Sequence, residues 1–302
     1  MKIPPLVWDS RYEIDLGAHV FATAKYRKTR EQILANKTVT EDHFVSSTPI
    51  TYEDLARVHT DEYLDKIATN SFSAFEVIQL EIPYSEQAKE GLMLMCGGTL
   101  LAGSLALEHG CAAHLGGGFH HAFAGHGEGF CLLNDVAVAA RGLMARGQVE
   151  RVLIVDLDVH QGNGTAEIFG DDPSVFTFSM HQESNYPADK PPSNLDLGLE
   201  DHAGDEVYLD LLSEHLPKVL ERHDPDLVFY LAGADPYKDD QLGGLSLTLK
   251  GLRHRDRFVY DSVRDHQIAL AVVLAGGYAF RSEDTVAIHV ATIEELVSQF
   301  VG

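Results

Sequence analysis

In the segment VDLDVHQGNGT, Asp156, Asp158 and His160 alternate with apolar residues. Alternate side chains of an extended backbone share a face and lie roughly 6–7 Å apart, so Asp158 and His160 can converge on one ion while Leu157 and Val159 pack behind them. Asp156 shares that face, and Asp235, far along the chain, can add a third ligand oxygen. Three protein ligands with an open position make a catalytic rather than a structural metal site. Imidazole with two carboxylates suits zinc and would also accept ferrous iron or another divalent ion. His120 and His121 follow three glycines in LGGGFHH and supply acid–base groups whose intrinsic pKa suits neutral pH. A lone Asp-x-Asp or His-His is more often surface or core than a site. The combination decides otherwise, because burying two carboxylates and a histidine at the end of an apolar run costs several kcal/mol unless they are paired or metal-bound.

These residues need elements to hold them. Val152–Val155, Val175–Phe178, Leu227–Leu231 and Leu270–Leu274 are short apolar runs that read as strands buried on both faces. Between them, helical apolar spacing predicts helices over Asp135–Arg146, Asp205–Arg222, with a kink at Pro217, and Lys250–Asp265. Alternation of strand and helix predicts a parallel sheet. Ligands of such sheets bind beyond the carboxyl ends of the strands. There the sequence places Asp156, Asp158 and His160 after the first run and Ser179 and His181 after the second. Asp235 follows the third, and Gly276, Gly277 and Tyr278 follow the fourth.

Across 302 residues no linker, repeat or low-complexity tract interrupts the chain, so one domain over residues 1–302 is expected. The 46 acidic residues outnumber the 23 basic ones, a formal charge of −23 that argues against direct nucleic-acid binding and favours cationic ligands. The bland alternative is a solvated acidic surface. Cys96, Cys111 and Cys131 lack CxxC spacing, which fits neither a disulfide framework nor a zinc knuckle and suits a reducing cytoplasm. The N-terminal stretch MKIPPLVWDSRYEID has no long apolar core of a signal peptide. The longest uncharged stretch, Gly91–Leu107, falls short of the roughly 20 residues of a membrane span and reads as a buried helix.

The strings GGGFHHAFAGHGEGFCLLND, VDLDVHQGNGT, LAGADPYKDDQLGGLS and LAGGY resemble, in order and spacing, the zinc-dependent histone deacetylase family. The similarity covers nearly the whole chain, and its second half looks closest to the class IV branch and bacterial relatives. The less specific AHVFATAKYRKTREQIL and HTDEYL segments also look like the family. The resemblance implies a three-layer α/β fold around a mainly parallel eight-stranded sheet. It implies zinc ligands Asp158, His160 and Asp235, with His121 as general base and later proton donor to the leaving amine. His120 would be its electrostatic partner, Asp156 would hydrogen-bond His120, and Tyr278 would donate to the developing oxyanion. Asn163 stands where some branches carry aspartate, and a neutral amide orients His121 without stabilising its protonated form.

By the same resemblance Phe130 and Tyr186 line an acyl-chain tunnel with Gly129 and Leu242 nearby, although each aromatic could equally be core. Potassium would be held by backbone oxygens around Asp156, Asp158, His160, Ser179 and Met180. A second such site would use Phe169, Asp172 and Val175. His109, His215, His254 and His266 are expected to be solvated, and Cys131 to be a small buried hydrophobe.

The nearest rival enzymes, the ureohydrolases, bridge two manganese ions with a DxHxD string. Here Gly162 occupies the position of the bridging aspartate. A non-catalytic acyl-amine or metal sensor would not need His120, His121 and Tyr278 together. The expected substrate is an acylated lysine in peptide or protein, including long acyl chains. An acetylpolyamine or another small amide suits the same chemistry.

Overall fold

The structure is a computed structural model that describes residues 3–300. Among these residues eight strands form one sheet: β1 (Leu6–Val7), β2 (Phe44–Val45), β3 (Cys111–His114), β4 (Val152–Asp156), β5 (Val175–Gln182), β6 (Leu195–Leu199), β7 (Leu227–Leu231) and β8 (Ala269–Val273). Their order is β2-β1-β3-β8-β7-β4-β5-β6, and every pairing between them is parallel.

The central strands are continuous apolar runs because both sheet faces are covered. Successive side chains point to opposite faces. Leu153 and Val155 of β4 join one core cluster with Val228, Tyr230, Leu270 and Val272. Val152 and Ile154 join the other with Leu227, Phe229, Ala271 and Val273. The Asp205–His223, Leu249–Asp265 and Ser282–Phe300 helices cover the first face through Leu212, Tyr260 and Ile293. The Asp135–Ala145 helix covers the second through Val136, Ala140 and Leu143. This is the three-layer arrangement implied by the family resemblance.

Several expected boundaries shift. β5 runs on to Gln182, so Ser179 and His181 lie inside the strand rather than after it. The helix that carries Pro217 runs from Asp205 to His223, one residue beyond its expected end. Proline removes one backbone hydrogen bond there, but Leu212, Leu216 and Leu220 are packed into the core on either side and hold the helix. The apolar stretch from Gly91 lies in the Glu86–His109 helix, which is long and apolar enough to cross a membrane. In this fold 61% of its most apolar window is buried against protein, as expected of a core helix.

The topology positions the chemistry. β3, β8, β7 and β4 are neighbours in that order. The segments that leave their carboxyl ends carry, in the same order, His120 and His121, Tyr278, Asp235, and Asp158 with His160. Residues separated by well over a hundred positions are thus brought to one edge of the sheet.

Candidate metal centre and active-site cavity

β4 ends at Asp156, and residues 158–160 form a bend rather than the extended strand expected from the alternation. The bend lets the His160 backbone N–H donate to Asp158 Oδ1 at 3.0 Å, with His160 Nδ1 also 3.0 Å from that oxygen. Asp235 Oδ2 lies 3.7 Å from His160 Nδ1. One candidate ligand atom from each of Asp158, His160 and Asp235 lies within 4.8 Å of the others.

The remaining carboxylate oxygens are occupied in a way that aims these atoms. Asp235 Oδ1 accepts from Val159 N at 2.9 Å, and Asp158 Oδ2 accepts from Gly276 N at 2.9 Å. Among the described residues the fully buried Asp235 Oδ2 has no hydrogen-bond partner. A Cβ on Gly276 would fall 1.9 Å from that oxygen, so only glycine fits beside the carboxylates. Burial, then the neighbouring Asp158 charge, pushes Asp235 well above the usual carboxylate range. Burial opposes ionisation of Asp158 too, but His120 and His160 outweigh it and hold Asp158 low. Two crowded buried carboxylates, one with an orphaned oxygen, beside an imidazole fit a divalent cation.

Arg255, wholly buried and paired with Asp256 at 2.8 Å, braces both ligand segments. Its Nη1 donates to Gly233 O at 2.7 Å and Leu157 O at 3.3 Å. The Asp256 carboxylate is itself held by the Tyr230 and Thr292 hydroxyls.

The histidine pair is set by two further buried carboxylates, Asp135 and Asp156. Asp135 accepts the backbone N–H groups of Gly118 and Phe119 at 3.0 and 2.7 Å and so fixes the glycine turn. His120 Nδ1 lies 2.6 Å from Asp156 Oδ2. Burial alone would lower His120, but the charges of Asp156 and Asp158 outweigh it and bring its pKa up to about 9. His121 goes the other way: burial, then charge on His120 and His160, holds it well below the ordinary histidine range. One imidazole is thus favoured as a cation and its neighbour as a neutral base.

His121 Nδ1 lies 2.7 Å from Asn163 Oδ1. Behind the amide stands Glu128, which the sequence reading did not single out. Its carboxylate accepts from Asn163 Nδ2 at 2.6 Å and from the Tyr186 hydroxyl at 2.9 Å. Burial would raise Glu128, but hydrogen bonds from His126, Asn163, Tyr186 and Gln79 bring it down to about 2.

His120, His121, Asp158, His160 and Tyr278 line one cavity of about 190 Å³, together with Gly129, Phe130, Tyr186 and Leu242. The Tyr186 ring meets His121 edge-on at 4.9 Å, and Phe130 meets Tyr278 at 5.8 Å. Phe130 adopts φ 70°, a left-handed conformation that costs a bulky residue about 1–3 kcal/mol and accompanies its placement in the cavity wall. Burial, then the charges of Asp158 and Asp235, pushes the Tyr278 hydroxyl well above its ordinary range, which keeps it a proton donor. Asp240 Oδ2 accepts from Tyr278 N at 2.6 Å, and the buried Lys25 ammonium lies 5.3 Å from the centre of the Tyr278 ring. Asp240 was legible only as part of the DPYKDDQLGG string, and Lys25 had no signal beyond a weak motif.

Ser179 lies beside Asp156 in the β4–β5 pairing, and Met180 follows it, buried. Val175 instead opens β5, so Phe169, Asp172 and Val175 gather at the amino end of the strands, away from the cavity. His109, His254 and His266 are exposed and His215 partly so, while Cys131 is buried at 4% exposure.

Comparison with known proteins agrees with this arrangement. The fold is similar to the crystal structure of the HDA15 HD domain, with a TM-score of 0.80 at 24% identity over 97% of this chain and 90% of that one. An uncharacterized protein of Picosynechococcus sp. is 41% identical over 94% of this chain and 95% of its own length. Histone deacetylase 2 of Arabidopsis thaliana is 31% identical over 93% of this chain and 76% of its own. The family model described as histone deacetylase domain matches residues 19–293, a span that takes in the whole cavity, and the chain therefore belongs to the histone deacetylase family.

Proposed function

We propose that this hydrolase cleaves the amide bond between an acyl group and the ε-amine of lysine, with zinc held by Asp158, His160 and Asp235. The observation that carries the reading is the partnerless Asp235 Oδ2 among converging ligand atoms, in a cavity that also holds His120, His121 and Tyr278. Bound zinc would supply Lewis-acid polarisation of the amide carbonyl and acidification of the attacking water.

The chain's own residues do the rest. Because Nδ1 of His121 is engaged by Asn163, Nε2 is the nitrogen left to take a proton from water and return it to the departing amine. His120, favoured as a cation beside Asp156, lowers the cost of developing negative charge. The Tyr278 hydroxyl donates to the oxyanion. Phe130, Tyr186 and Leu242 enclose the acyl-lysine arm and exclude water. Backbone oxygens of Asp156, Asp158, His160, Ser179 and Met180 would hold a potassium ion. The three free, buried thiols suit a cytoplasmic setting.

A ureohydrolase-like binuclear site is disfavoured because Gly162 has no side chain to bridge a second ion, and a Cβ there would lie 2.5 Å from Asp156 Oδ2. A sensor would not require both histidines and the tyrosine around one metal.

Substrate choice is tested with matched acetyl-, medium- and long-chain acyl-lysine peptides and acetylpolyamines. Phe21, Tyr26 and Phe119 extend the apolar lining, and each buried methylene contributes up to about 0.8 kcal/mol. The expected result is kcat/KM rising from acetyl towards longer chains, with acetylpolyamines poorer because they leave that lining unfilled. A steady fall beyond acetyl would show a short pocket and remove the long-chain assignment. Preference for acetylpolyamines would replace lysine as the substrate.

A further inference from the structure

Glu128 is a hub that the hydrolytic steps leave unexplained. Its side chain keeps 13% exposure and accepts from four side chains: Asn163 Nδ2 at 2.6 Å, Tyr186 Oη at 2.9 Å, Gln79 Nε2 at 3.1 Å and His126 Nε2 at 3.3 Å. Four donors on one carboxylate favour its charged form.

The Asn163 amide stands between Glu128 and His121 and can present either its oxygen or its NH2 to each. An ionised carboxylate only accepts, so the NH2 must face Glu128 and the carbonyl oxygen must face His121. That oxygen also only accepts, and the 2.7 Å contact is then a hydrogen bond only when His121 Nδ1 carries the proton. Nε2 is left with its lone pair, the form a general base needs.

We infer that Glu128 selects the tautomer of His121 through the Asn163 amide and is a positioning residue for amide hydrolysis, an inference that rests on the proposed amidohydrolase activity. A neutral group at position 128 removes the constraint: the Asn163 amide can turn over, donate to Nδ1 and leave the proton on Nε2. The same carboxylate fixes the Tyr186 hydroxyl and so links the cavity wall to the state of the base.

The test reads tautomer and turnover together in the full-length, zinc-loaded protein. Nitrogen-15 NMR of the His121 ring, assigned by its loss in His121→Ala, reports which nitrogen is protonated without requiring catalysis. Wild type should show protonated Nδ1, and Glu128→Gln a mixture of tautomers with kcat on acyl-lysine reduced about 10- to 100-fold. Asn163→Asp alone places two carboxylates in contact and should also lose activity. The double variant Glu128→Gln/Asn163→Asp restores a single acceptor-only group against His121. It should recover the wild-type tautomer and exceed both single variants in kcat. Tyr186→Phe removes a different donor from Glu128 and should raise KM while leaving the tautomer unchanged.

A wild-type tautomer and kcat in Glu128→Gln would overturn the relay. So would losses that simply multiply in the double variant, or a tautomer change in Tyr186→Phe equal to that in Glu128→Gln. If the tautomers respond as expected but no form hydrolyses an acyl amide, the relay stands and the hydrolase reading fails.

Discussion

Replacing His121 with alanine should lower kcat/KM on an acyl-lysine peptide by about 10³-fold or more, at the upper part of the range for general acid–base groups, while metal content stays at the wild-type value. One imidazole takes the proton from water and delivers it to the leaving amine, so its loss removes help from both halves of the reaction. His120 cannot substitute, since its Nδ1 is 2.6 Å from Asp156 and that pairing favours the cation. Metal retention follows from the ligand set, in which His121 takes no part. Turnover and metal content measured on the same preparation check both halves of the expectation. Near-normal kcat/KM would transfer the base role to another group.

Tyr278→Phe should cost about 10²–10³-fold in kcat, the usual loss for one oxyanion donor, with KM little changed. The substitution should act on the hydroxyl alone because the ring is held independently. Tyr278 N donates to Asp240, Phe130 packs edge-on at 5.8 Å, and Lys25 sits over the ring. The phenylalanine ring should therefore occupy the same place and preserve the cavity wall. A rise in KM at unchanged kcat would mean that the hydroxyl serves binding rather than the transition state.

The parts of this centre that were legible in the sequence are those in which chemistry sits at the end of a strongly apolar strand. β4 and β7 were readable as runs of large apolar residues, and Asp158, His160 and Asp235 were conspicuous because charge at such ends is costly. β1 and β2, at two residues each, are too short to show a period, and CAAH in β3 lacks bulky β-branched residues. β6, LDLGL, contains glycine and is only partly covered. Its strand character comes from pairing with β5, a tertiary effect that propensity does not report.

Glu128 was hidden for a different reason. Within GHGEGF a single glutamate reads as turn polarity, and its partners Gln79, Asn163 and Tyr186 are 49, 35 and 58 residues away. The departure from aspartate at Asn163 was visible, whereas the carboxylate standing behind it was not. Arg255 and Lys25 share this difficulty. Both act on main-chain oxygens, Arg255 on Leu157 and Gly233 and Lys25 on Ala275, and such bonds leave no pattern in residue types.

Metal stoichiometry and dependence test the central claim most directly. Elemental analysis of the purified chain should find one equivalent of zinc. Chelation should abolish acyl-lysine hydrolysis, and zinc should restore it. Asp235→Ala should lose both metal and turnover, because it removes the partnerless oxygen of the ligand set. Full activity in metal-free protein, or two equivalents of manganese required for turnover, would contradict the account.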